Sequence, residues 1–165
     1  MEQTAGHVIE VTHRCMYANR FDAIVQLLLG RHVSIGHVFF IACELGDLEI
    51  VRRFLDEGEV DIDRGNVDSG ATALSIASAE GNLRLANLLI EKGADIDEPD
   101  DVGNAPLYYA CRGNHIDVVR LLLGNLAKVD HTNRDNHSAL YAACDMCYPD
   151  IARVLLENGA DGTLA

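Results

Sequence analysis

Cys144 and Cys147 stand three residues apart in the run "CDMC". That spacing can supply half of a tetrahedral zinc site, or a dithiol that opens and closes with redox state. Neither use is supported around it, because no second pair follows and no strand pattern precedes it. Seven histidines could ligate metals or move protons. None forms an HxH or HExxH pattern, and His115, His131 and His137 fall in turn or loop slots, where an exposed or capping role is expected. There is no glycine-rich phosphate loop after a strand and no serine elbow. Any two of the 26 acidic side chains could meet as an acid/base pair, but nothing in their spacing selects two. The chain is not read as an enzyme, and no cofactor or metal is expected.

The bulk properties narrow the partners. The net charge is −13 over 165 residues, and it is unevenly spread. Residues 1–36 balance at three acids and three bases, residues 37–104 hold sixteen acids against five bases, and residues 105–165 hold seven against five. A nucleic-acid backbone or an anionic membrane surface calls for the opposite sign. No apolar run approaches the ~18 residues of a membrane span. The N-terminus "MEQTAGHVIEVTHRCMYANRF" has acidic and polar residues where a signal peptide has a basic start and an apolar core. A cytoplasmic protein is expected, with a nuclear site as the variant. Five cysteines cannot form a complete disulfide framework, which suits a reducing compartment.

The elements that must position any site emerge from a repeat. Ala42, Ala77, Ala110 and Ala143 are spaced 35, 33 and 33 residues apart. Phe39, Leu74, Leu107 and Leu140 stand three residues before them, and Gly46, Gly81, Asn114 and Cys147 four residues after. Then come Ile50-Val51, Leu85-Ala86, Val118-Val119 and Ile151-Ala152, followed by Phe54-Leu55, Leu89-Ile90, Leu122-Leu123 and Leu155-Leu156. Steps of three and four residues mark one face of a helix. Each unit therefore reads as a helix, a tight turn, a second helix and an extended link. The turn suits a left-handed backbone, which Gly46 and Gly81 adopt freely, Asn114 less so and Cys147 least. Cys43, Cys111 and Cys144 share one small-residue slot with Ser78 and are expected in the core. Glu49–Arg52, Asp117–Arg120 and Asp150–Arg153 are expected as ion pairs on an outer, solvated face.

On "ATALSIASAEGNLRLANLLIEKGADID", "APLYYACRGNHIDVVRLLLGNLAKVD" and "SALYAACDMCYPDIARVLLENGAD", with a looser "HVFFIACELGDLEIVRRFLDEGEVDID", the chain resembles the ankyrin-repeat family over about residues 37–165. The resemblance implies an all-α ankyrin-repeat solenoid, an L-shaped stack of helix pairs with hairpin-like fingers. Four repeats are expected, at 37–70, 71–103, 104–136 and 137–165. The family's Thr-Pro-Leu-His start is eroded, since only Pro106 keeps the proline and Phe40, Ser75, Tyr108 and Tyr141 hold the histidine slot. Residues 1–36 are read as a degenerate capping helix pair without a finger. The first true finger carries about two extra residues, placed near Arg64–Asn66. The sequence stops at "ENGADGTLA" without a distinct polar cap, which reads as a segment of a longer protein or an end packed against something.

The resemblance implies a protein-interaction module that binds in a groove lined by first helices and finger tips. The expected contact residues are Asp68, Ile76, Glu80, Asp101, Val102, Asn104, Tyr109, Arg112, Asp135, His137 and Met146. Rows Ile41, Ile76, Tyr109, Ala142 and Leu45, Glu80, Gly113, Met146 are expected on its floor, with Asp100 beside it. Acids beside apolar residues point to a protein partner with a basic, partly apolar segment, and to neither nucleic acid, membrane nor metal. An adaptor, scaffold or inhibitor fits. Alternatives are a substrate-targeting segment of a larger enzyme, or a pathogen or viral effector acting in the host cytosol on a protein such as a Rel-type transcription factor.

Overall fold

The computed structural model describes residues 34–164, so the capping pair expected in residues 1–36 lies almost wholly outside the described residues. Eight α-helices follow in order: α1 Ile35–Glu44, α2 Leu48–Asp56, α3 Ala73–Ala79, α4 Leu83–Glu91, α5 Pro106–Arg112, α6 Ile116–Gly124, α7 Ala139–Asp145 and α8 Pro149–Glu157. A short 3-10 turn spans Gly162–Leu164. Three of the four first helices start at a hydroxyl cap, where Ser34, Thr72 and Ser138 accept the N–H of His37, Ser75 and Tyr141. Such a cap satisfies one of the N–H groups that a helix start leaves without a partner. α5 instead begins with Pro106, whose missing N–H is not needed there. Asp47 and Asn82 cap α2 and α4 in the same way.

Helices of one kind pack on their own kind. α1, α3, α5 and α7 form one layer, and α2, α4, α6 and α8 form the other. Phe39, Leu74, Leu107 and Leu140 are buried along the first layer, and Phe54, Leu89, Leu122 and Leu155 along the second. Phe39 meets Phe54 edge-on between the layers, with ring centroids 6.1 Å apart. These buried side chains are the repeating positions of the sequence, so one pattern generates a continuous core.

All four turns between paired helices have the same left-handed geometry: φ is 65° at Gly46, 66° at Gly81, 62° at Asn114 and 57° at Cys147. Glycine is needed at the early positions for a second reason. A Cβ on Gly81 would run into the His115 ring, and one on Gly46 into the Asn82 side chain. Cys147 is exposed and has no later helix pair beside it among the described residues. Its cost is therefore backbone strain alone. A second left-handed position follows each second helix, where Gly58, Gly93 and Gly159 are replaced in the third unit by Leu126 at φ 68°. That side chain is 88% exposed, so no packing offsets the strain.

The aspartate that ends each link clamps one unit to the next. Asp63 Oδ1 accepts the Asp95 N–H at 2.7 Å, Asp97 Oδ1 accepts Lys128 N–H at 2.9 Å, and Asp130 Oδ1 accepts Asp161 N–H at 2.8 Å. His115 adds a further cross-unit contact, its Nε2 lying 2.9 Å from the Ala79 carbonyl oxygen. Lys92 pairs with Asp56 across the boundary between the first and second units.

Several expectations need correction. The two extra residues of the first link are split. One precedes Asp63, which lies nine residues after Phe54 whereas Asp97 lies eight after Leu89; the other is inside the finger. Cys144 is exposed although Cys43 and Cys111 are buried in the equivalent slot, because each of those is covered by a following unit. Ala142 is buried and not on an open floor. Of the three expected outer-face pairs only Asp150–Arg153 closes, at 3.3 Å, among the described residues. Exposed side chains of that length gain little by holding one geometry.

Relief of strain should therefore stabilise the stack. Cys147→Gly and Leu126→Gly are each expected to raise stability by about 0.5–1 kcal/mol, the αL relief exceeding the entropy cost of glycine. Gly81→Ala should lower it by about 2 kcal/mol or more, since strain and collision add. Urea midpoints of the three variants check this. In the same assay Asp97→Ala should cost about 1–2 kcal/mol. Asp97→Asn, which keeps an acceptor oxygen, should cost less than half as much; equal losses would mean that the carboxylate charge, not the hydrogen bond, holds the units together.

Candidate functional site

Each finger is a tight loop closed on itself by an amide-directed turn. In the second, Asp100 Oδ1 accepts the N–H groups of Val102 (3.0 Å) and Asn104 (2.8 Å). In the third, Asn133 Oδ1 accepts those of Asp135 and His137, both at 2.9 Å. In the first, Asn66 Oδ1 accepts Ser69 N–H at 2.9 Å. Short polar side chains that bond their own backbone two to four residues on are suited to this task. Neighbouring fingers then join edge to edge, Asp101 N–H donating to Ser69 O (3.0 Å) and Arg134 N–H to Val102 O (3.1 Å).

A buried polar network fastens the second finger to the helix floor. Asp100 and Asn104 are buried. The Tyr109 hydroxyl donates to Asp100 Oδ2, while Asn104 Nδ2 approaches the same oxygen at 3.3 Å. Asn133 Nδ2 donates to Asn104 Oδ1 at 2.8 Å and links the third finger in. Burial, then the bond to Asp100, push the Tyr109 phenol above its ordinary pKa. Asp100 is thus a structural carboxylate rather than a rim charge. Asn104, expected as a contact at the finger tip, is enclosed.

The groove lies between the first helices and the fingers, and part of it among the described residues forms a cleft. A cleft of about 260 Å³ is lined by Ser34, Gly36, His37, Phe40, Ile41 and Glu44 of α1 and its cap, facing Arg64–Asp68 of the first finger. Of the expected contact residues, Asp68 lines this cleft. Glu80, Asp101, Arg112 and Asp135 are exposed, and Ile76 is half-buried against the core. Val102 and Met146 are exposed apolar residues, at 53% and 42%. His137 lies flat on Tyr141, centroids 3.9 Å apart and planes 5° off parallel. Phe40, Glu44, Arg64 and Val67 were not among the contact residues expected from the sequence. The extra length of the first finger was a signal for Arg64 and Val67, and Phe40 was noted only as the residue in the histidine slot.

The acidic excess of residues 37–104 is not gathered on this groove. Glu57, Glu59, Asp61, Asp63, Asp95, Asp97 and Glu98 follow the second helices in the link segments. Asp63 and Asp97 serve there as clamps. Of the other acids, Glu44 and Asp68 line the cleft, and Glu80 and Asp101 are exposed.

A family model for ankyrin repeats (3 copies) matches residues 13–100 and again 95–165. The chain belongs to the ankyrin-repeat family. It is 41% identical over 73 residues to protein phosphatase 1 regulatory subunit 27 of Mus musculus, covering 44% of this chain and 47% of that protein. It is 40% identical over 78 residues to the potassium channel AKT1 of Oryza sativa subsp. indica, covering 47% of this chain and 8% of the relative. It is 39% identical over 71 residues to the phosphocholine transferase AnkX of Legionella pneumophila subsp. pneumophila, covering 43% and 7%. The matches thus span about half of the first relative and under a tenth of the other two. Ankyrin repeats are protein-interaction modules, and that much holds for this chain.

Within these ankyrin repeats the thiols divide sharply. Burial pushes Cys43, beside Glu44, up to about 12, and burial alone does the same for Cys111. Cys144 and Cys147 are exposed, and no group of three or more His, Cys, Asp or Glu able to hold a metal occurs among the described residues. Brief iodoacetamide treatment at neutral pH should therefore modify Cys144 and Cys147 in the folded protein. Cys43 and Cys111 should react only after denaturation. Peptide mass spectrometry reads this directly, and protection of Cys144 and Cys147 without denaturant would contradict the assigned exposure.

Proposed function

We propose that the chain is a non-catalytic adaptor, scaffold or inhibitor that captures a segment of another protein in the groove between its first helices and its fingers. The observation that carries this reading is the exposure of Val67, Val102 and Met146 along the finger tips and helix ends, beside the carboxylates of Asp68, Glu80 and Asp101. Exposed apolar residues flanked by charge are how interfaces separate affinity from steering. Their sign favours a basic, partly apolar segment. Likeness to a phosphatase regulatory subunit supports a role that directs other proteins rather than one that performs chemistry. A second reading has this chain as the targeting part of a larger protein; the short matched shares of much longer relatives, one of them a transferase, favour it. Both readings use the same groove.

Partners retained on the immobilised wild-type chain, compared with those retained by Glu80→Lys/Asp101→Lys and by the outer-face variant Glu49→Lys, test the proposal. A groove partner should be lost from the double variant and kept by Glu49→Lys. Stopped-flow association should slow about tenfold in the double variant and fall with added salt, since exposed charges are screened over ~10 Å at 0.1 M. A partner with an acidic contact segment, or binding indifferent to the groove variants, would remove the assignment.

A further inference from the structure

The first finger differs from the other two. Its closing bond, Asn66 N–H to Ala71 O, spans five residues, whereas Asp100 N–H to Asn104 O and Asn133 N–H to His137 O span four. The extra residue widens the tip into a three-residue turn, Val67–Ser69. Below the tip the loop is pinched, because Gly65 lies so close to the backbone of Gly70 that no Cβ would fit. Asn66 holds the turn from inside through bonds from both the N–H and the hydroxyl of Ser69, each 2.9 Å. The tip is therefore placed by backbone constraints, and it presents Val67 with 85% of its surface exposed.

Opposite stands a firm floor. Phe40 packs edge-to-face on the buried Phe39 at 5.6 Å, and Ile41 lies one residue on along α1. Val67, Phe40 and Ile41 supply the apolar lining of the 260 Å³ cleft, and Glu44 and Asp68 stand at its rim against the one guanidinium of Arg64. An exposed valine on a lengthened, pinned loop adds nothing to the core. A volume of this order suits one large side chain and lies just below the 300–1,000 Å³ of a small-molecule pocket.

We infer that this cleft is the specificity pocket of the groove: it takes one large aliphatic or aromatic side chain of the partner, with a basic residue beside it in the partner's sequence facing Glu44 and Asp68. The inference rests on the groove reading above and names which end of the groove selects the partner. The apolar side chain displaces water from Phe40, Ile41 and Val67, which stabilises the complex by area removed from solvent. The neighbouring lysine or arginine faces the two rim carboxylates, whose charge steers it to the cleft more than it adds affinity.

The probe is a set of short peptides with a lysine on each side of one central position, varied through the amino acids, binding to the full chain. Leu, Ile, Phe and Met at the centre should bind about tenfold more tightly than Ala. Amide shifts should centre on Gly36, Ile41 and Val67. Val67→Ser, a change at an exposed site that spares the fold, should abolish the preference, and Met146→Ser should keep it. Asp68→Asn should weaken every peptide alike and reduce the salt dependence. Equal binding for all central residues, or a preference that survives Val67→Ser, would overturn the pocket. Shifts confined to Val102, Tyr109 and Met146 would overturn it too while leaving the groove as the binding surface. Shifts outside the groove altogether would remove both. Nuclear Overhauser contacts from residues 1–33 to Phe40 and Val67 in the free chain would assign the cleft to the protein's own N-terminal segment and end the inference.

Discussion

A pair of helices seven to ten residues long cannot bury the apolar stripe it carries, so the whole structure depends on contact between one unit and the next. Phe39, Leu74, Leu107 and Leu140 reach one to three per cent exposure only because each is roofed by a neighbour. The carboxylates of Asp63, Asp97 and Asp130 add direction to that non-directional force. Each takes the N–H of the fourth residue after the next unit's second helix, and the recurring acid therefore sets the spacing and rotation at which the apolar faces meet. An unpaired N–H there would face solvent, so the gain per bond is modest. Its repetition at every boundary is what matters.

Stacking also decides what the same residue type does at different places. Cys43, Cys111 and Cys144 occupy one slot of the repeat. Two are sealed and hold their protons far above neutral pH, and the third lies open. The turns behave alike: Gly81 must lack a side chain because His115 of the next unit occupies the space, while Cys147 meets no such neighbour and bears only strain. His115 itself shows how a nominal capping position can change its task. It caps nothing on α6 and instead contacts the Ala79 carbonyl one unit back.

The groove inherits its rigidity from this arrangement. Fingers that bond edge to edge through Ser69, Asp101, Val102 and Arg134 cannot swing independently. The Tyr109–Asp100–Asn104–Asn133 network ties that row of fingers to the helices beneath. A preformed surface loses little entropy on binding, which helps a weakly apolar groove to hold a partner. Tyr109 contributes to that preorganisation through its hydroxyl, a role distinct from the aromatic anchor its position on α5 suggests.

The sequence by itself determined the helix pairs, their register, the core and the family, because these follow from local periodicity repeated four times. It also exposed the unusual length of the first finger and the awkward fit of Cys147 to its turn. What only the tertiary structure decided is which side chains remain available. Asp100 and Asn104 look like solvated loop residues in one dimension, yet they are consumed by a network whose members are four to thirty-three residues apart. The excess of acid in residues 37–104 looks like one patch, yet the fold divides it between link segments and groove. Val67 looks like any loop valine until the finger folds against α1 and makes it a wall. Periodicity reports what a residue does within its unit; exposure depends on what the neighbouring unit covers, and that is settled in space.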